Sequence, residues 1–84
     1  MSVESRIIIH SLRRIYTKTL EKKHDEAQSM LACLIKYVRL SSLAHKDFVT
    51  NLEEAMRNML YENYTVAHDY IRNAYYFHST LVTT

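Results

Sequence analysis

Neither glycine nor proline occurs anywhere in this chain of 84 residues. Those two residues supply the positive-φ and fixed-φ positions on which tight turns and hairpins depend. A many-stranded β fold needs such a turn about every ten residues, and it is hard to build here. Helices joined by short Ser, Asn and Asp connections are easy to build. The chain is therefore expected to be all-α. With 48% apolar and 24% charged residues it has the balance of a folded domain. Its length fits one domain, residues 1–84, with a small core.

Hydrophobic spacing at about 100° per residue divides the chain into four amphipathic segments. The first covers about residues 3–23, with Ile8, Ile9, Leu12, Ile15, Tyr16 and Leu20 on one arc. Arg6, His10, Arg13 and Arg14 lie opposite, and Ile7 falls off the apolar arc. The second starts at Asp25, read as an N-cap whose capping box is completed by Gln28. Its apolar face holds Ala27, Met30, Leu31, Leu34, Ile35 and Val38. Ser41 or Ser42 is placed as the cap of the third segment, about residues 43–62, whose stripe runs from Phe48 to Leu60. Asn63 is expected to take the left-handed conformation that ends this helix, and Thr65 to open the next. The fourth segment covers about residues 66–81, with Val66, Ala67, Tyr70, Ile71, Ala74, Phe77 and Leu81 on one arc. Helices this short need tertiary partners. The expected architecture is a bundle of three to four amphipathic helices built on helical hairpins, with dimerisation as a way to enlarge the core. The sequence shows no linker, internal repeat or low-complexity tract.

Several function classes are disfavoured. The single cysteine, Cys33, cannot form an internal disulfide. No apolar run reaches the length of a membrane span. The three apolar residues at 7–9 fall short of a signal-peptide core, so a cytoplasmic location is expected. The five histidines include no pair at i,i+4, and Cys33 has no ligand neighbour at metal-binding spacing, so neither a metal nor a cofactor is expected. A glycine-rich phosphate loop and a nucleophile elbow both require glycine.

Two stretches carry family resemblances. "IRNAYYFHST", residues 71–80, resembles the Arg-polar-x4-His signature of HEPN-type ribonucleases. The resemblance implies that His78 acts as acid or base, that Arg72 steadies the scissile phosphate and that Asn73 fills the polar position. On a regular helix, however, residues six apart point about 120° away from each other. His78 falls inside the apolar arc and Arg72 outside it, so the residues themselves favour a structural helix. No catalytic residue is assigned, and the chain is not expected to be an enzyme. "LEEAMRNMLYENYTVAHDYIRNA" resembles one helix pair of a tetratricopeptide repeat, with Ala55, Ala67 and Ala74 at the small positions and Tyr64 and Ile71 at large apolar ones. The repeat's Gly-Tyr pair and closing proline are absent. This resemblance implies a closely packed antiparallel hairpin of the kind found in small bacterial regulators and secretion chaperones.

The functional expectation rests on two surface features. Arg6, Arg13 and Arg14 make the first helix basic on its outer side, and Tyr61, Tyr64 and Tyr76 lie off the apolar arcs. Tyrosine and arginine are favoured at interfaces. The chain is read as a non-enzymatic interaction module, a bacterial or phage regulator, adaptor or chaperone. It would bind a partner protein with an acidic surface and act as a homodimer. Nucleic-acid contact through the same basic helix is the alternative, held down by a net charge of only +2. A HEPN-like ribonuclease using Arg72 and His78 is the second alternative.

Overall fold

A computed structural model of the chain describes residues 2–41 and 45–83, and side chains as far as Thr80. Among the described residues there are four α-helices and no strand: α1 (Val3–Leu20), α2 (His24–Leu40), α3 (Lys46–Leu60) and α4 (Tyr64–Thr83). Each helix packs on its two neighbours in the order α1–α2–α3–α4–α1, and among the described residues the diagonal helices do not approach within 8 Å between Cα atoms. This is an up-down-up-down four-helix bundle about 33 Å long. No helix among the described residues is long and apolar enough to cross a membrane.

The core is the set of inward arcs closing on one another. Ile8, Leu12 and Ile15 of α1 meet Ala27, Leu31, Leu34 and Val38 of α2. Phe48, Leu52, Ala55 and Met59 of α3 and Ala67, Ile71 and Ala74 of α4 complete it. Three residues assigned to apolar arcs are instead exposed: Leu20 (61%), Leu60 (62%) and Val66 (44%). Leu20 and Leu60 are the last residues of their helices, and Thr19 and Met59 fill the final core layer in their place. Val66 sits in the first turn of α4, directed away from the layer that Ala67 closes. The expected start of the third helix at Leu43, a cap at Ser42 and the side chain of Leu81 lie outside the described residues.

Both hairpin turns reverse the chain without glycine. Lys22 and Glu62 each adopt φ of 62°. The amides of Lys22 and Lys23 donate to the carbonyls of Thr19 (3.1 Å) and Lys18 (2.9 Å), and those of Glu62 and Asn63 to Met59 (3.0 Å) and Asn58 (2.7 Å). This is the Schellman pattern, in which carbonyls left over at a helix end are satisfied by one left-handed residue. The left-handed residue is therefore Glu62 rather than Asn63. Asn63 instead offers its carbonyl to the Ala67 amide, the first bond of α4, so that helix starts ahead of Thr65. The capping box predicted at Asp25 does not form either. Because the Schellman turn is complete at Lys23, α2 begins at His24 behind a Lys23 N-cap without a side-chain bond. Asp25 and Glu26 then sit within the first turn, where their charge suits the helix dipole. Ser41 terminates α2, and the N-cap of α3 is His45, whose Nδ1 accepts from the Asp47 amide at 3.3 Å.

The two hairpins repeat one pattern of burial and turn geometry. Forty residues separate Lys22 from Glu62, Ile8 from Phe48, Leu12 from Leu52, Leu31 from Ile71 and Val38 from His78. Each of these pairs has the same burial, and α1 and α3 occupy corresponding places in the ring of contacts, as do α2 and α4. An approximate two-fold axis therefore runs down the bundle. No sequence repeat accompanies it, since only Ser2, Leu12, Leu20 and Ala27 recur as the same residue forty positions on.

A side chain at positive φ costs about 1–2 kcal/mol, partly offset when glycine replaces it by glycine's larger entropy loss on folding. Lys22→Gly and Glu62→Gly should therefore each stabilise the bundle by about 0.5 kcal/mol. Urea midpoints will show this. A fall in midpoint for either variant would contradict the assigned turn geometry.

Candidate functional site

The approximate two-fold generates two equivalent grooves on opposite sides of the bundle, one between α1 and α4 and the other between α2 and α3. Their corresponding positions carry different chemistry. Arg13, Tyr16 and Tyr75 in the first are matched by Glu53, Met56 and Ile35 in the second. The α1–α4 groove, about 340 Å³, is also lined by Arg72 and Tyr76. The α2–α3 groove, about 520 Å³, is also lined by Arg39, Arg57, Leu60 and Tyr61.

In the α1–α4 groove Arg13 donates through Nε (3.1 Å) and an Nη (2.9 Å) to the Tyr75 hydroxyl. Its guanidinium carbon stands 5.6 Å from the centre of the same ring. The contact fixes a long side chain that would otherwise sweep solvent. Tyr76, 61% exposed, stands against Tyr75 with ring centres 5.7 Å apart at 74°. Arg72 lies along the same wall, paired with Asp69 at 3.3 Å. Deeper in this seam, Tyr16 meets the His68 ring at 4.1 Å between centres.

The residues singled out from the sequence thus divide among four places. Arg13 and Tyr76 share the α1–α4 groove. Arg6, exposed and two turns earlier on the same stripe as Arg13, extends it. Arg14 is exposed but turned 100° toward the α2 side. Tyr61, 74% exposed, belongs to the opposite groove. Tyr64 is half-buried at the turn end, stacked on His24 with ring centres 3.5 Å apart and planes 4° from parallel. His24 and Tyr64 are themselves a two-fold-related pair. The basic arc of α1 is also partly neutralised, since Lys18 pairs with Glu26 at 3.4 Å, and in the turn beyond it Lys23 pairs with Glu21 at 3.8 Å. Charge is nonetheless uneven along the chain, with eight Lys and Arg against four Asp and Glu in residues 1–40, and three against five in residues 41–84.

Arg72 and His78 do not come together. Arg72 is on the surface, whereas His78 is 2% exposed and lies against Phe48, ring centres 5.0 Å apart. At that burial His78 cannot reach a phosphate in this conformation. It takes the place that Val38 occupies in the first hairpin. Its Nε2 has no hydrogen-bond partner among the described residues, and burial pushes its pKa below the usual histidine value of 6.5. Nor does any group of three or more His, Cys, Asp or Glu residues among those described come together as a metal site would require.

The burial of His78 has a definite pH signature. The unfolded chain titrates His78 at its ordinary value and the folded chain below it. Between the two the unfolded state holds more protons, so stability falls as pH drops through 6.5 and levels off only below the folded value. His78→Leu should remove this slope and, by filling an apolar site with an apolar group, raise stability by roughly 1 kcal/mol near neutrality. Denaturant unfolding of both proteins from pH 7.5 to 5 tests this. An unchanged slope in the variant would contradict it.

No family model matches the chain, and comparison with curated proteins and with solved structures gives no match.

Proposed function

We propose that this chain is a non-enzymatic interaction module that acts as a homodimer and docks an acidic segment of a partner protein in the α1–α4 groove. The observation that carries the reading is Arg13, held by the Tyr75 hydroxyl beside the exposed ring of Tyr76. An arginine already ordered loses little rotamer freedom when it meets a carboxylate, which lowers the cost of association. Arginine and tyrosine side by side are the residue types in which binding energy concentrates. The groove wall presents guanidinium and phenol groups, with the Thr17 hydroxyl, around the Leu12 side chain and aromatic rings, so the ligand that suits it presents carboxylates around an apolar anchor. The excess positive charge of residues 1–40 would speed encounter with such a segment. Regulation, adaptor function and chaperoning by masking a partner are all consistent with this mode of action.

The same basic side chains could meet phosphates, and salt dependence separates the two cases. Fluorescence anisotropy against a panel of labelled Asp/Glu-rich peptides carrying one Leu or Phe anchor should identify micromolar binders. Arg13→Glu or Tyr76→Ala should weaken these by about tenfold or more, while Tyr61→Ala should not. Peptide binding indifferent to Arg13 and Tyr76 would contradict the reading. So would tight duplex DNA binding that falls steeply with salt in the absence of any peptide binding.

A further inference from the structure

The α2–α3 groove differs from its two-fold counterpart in having lost its net positive charge. Where α1 presents Arg13, α3 presents Glu53, and Glu53 is ion-paired across the groove with Arg39 of α2. Arg57 and Glu54 form a second pair at 3.2 Å. The lining between these pairs is apolar: Ile35 and Met56 are half-buried, while Leu60 is 62% and Tyr61 74% exposed. We infer that this face is where two copies of the chain associate, related by a two-fold axis across the α2–α3 groove.

A two-fold contact places one patch against itself, so the patch must be complementary to its own image. A groove lined by Arg39, Arg57 and Glu53, with Arg57 neutralised by Glu54 one turn earlier on the same helix, meets that condition, because each Arg39 can turn from its own Glu53 to that of the second copy. The α1–α4 face, with Arg6, Arg13 and Arg72 against Asp69, does not, since its own image would repel it. Size also fits. A side of this bundle measures about 33 by 20 Å, so a contact over most of it would reach the lower bound of stable protein interfaces. Leu60 and Tyr61 are the anchors. They stand proud at the turn end of α3, and an antiparallel second copy would receive them along the groove floored by Ile35 and Met56.

The inference rests on the homodimeric reading above and adds the surface that makes the dimer. Light scattering and sedimentation equilibrium at micromolar concentration should give twice the protomer mass for the parent chain. Leu60→Glu with Tyr61→Glu should give the protomer mass, with an unchanged helical circular dichroism spectrum, because both side chains are exposed. Tyr76→Ala should remain dimeric. A parent chain that stays monomeric would overturn the dimer itself. A dimer that survives the Leu60/Tyr61 double substitution, or one lost in Tyr76→Ala, would overturn this surface while leaving dimerisation intact.

Discussion

Helices of 15 to 20 residues are marginal in water, and everything in this molecule depends on four of them burying their apolar arcs against one another. The consequence is a core shared by both hairpins. Neither hairpin closes its own stripe, because each helix has one neighbour from the same hairpin and one from the other. Loss of either hairpin would expose the inward leucines and isoleucines of the remaining one. The two exterior grooves, and whatever binds in them, exist only while that mutual burial holds.

The approximate two-fold explains both the economy of the fold and its divergence. Core positions forty residues apart keep burial and give up identity, as in Ile8 and Phe48 or Val38 and His78. What is kept there is the burial itself, while residue type, volume and, at His78, even polarity have changed. At the grooves the constraint is weaker, and the chemistry has separated further. Arg13 faces solvent where Glu53 does in the other half, and the aromatic Tyr75 stands where Ile35 does. One scaffold thus presents a basic, phenolic groove on one side and a charge-balanced, apolar groove on the other.

Much of the fold was legible in the sequence because helical periodicity is a strong signal when no glycine or proline interrupts it. Leu12, Leu34, Leu52 and Ala74 are all buried, while Ile7 and Tyr76 are exposed, as their arcs require. The ends of helices were less legible. Asp25 with Gln28 has the form of a capping box, but the backbone turn just before it is closed by carbonyl bonds that no side-chain pattern announces. The repeat was invisible because four identities in forty positions give no signal, and only the burial pattern reveals it. For the surface, the sequence marked the exposed tyrosines and arginines but not their grouping. Tyr61 and Tyr76 are equally off-stripe, yet they lie on opposite sides of the bundle. The tie between Arg13 and Tyr75 spans sixty-two positions, beyond the reach of any local pattern.

Both hairpins share one core, and native-state amide hydrogen exchange of Leu12→Ala and Leu52→Ala tests this most directly. Each truncation should cost about 3 kcal/mol, on the order of a hundredfold in exchange. That acceleration should appear equally in the slowest-exchanging amides of all four helices, whichever hairpin carries the substitution. Acceleration confined to α1 and α2 for Leu12→Ala, and to α3 and α4 for Leu52→Ala, would show that each hairpin opens by itself and would contradict the shared core.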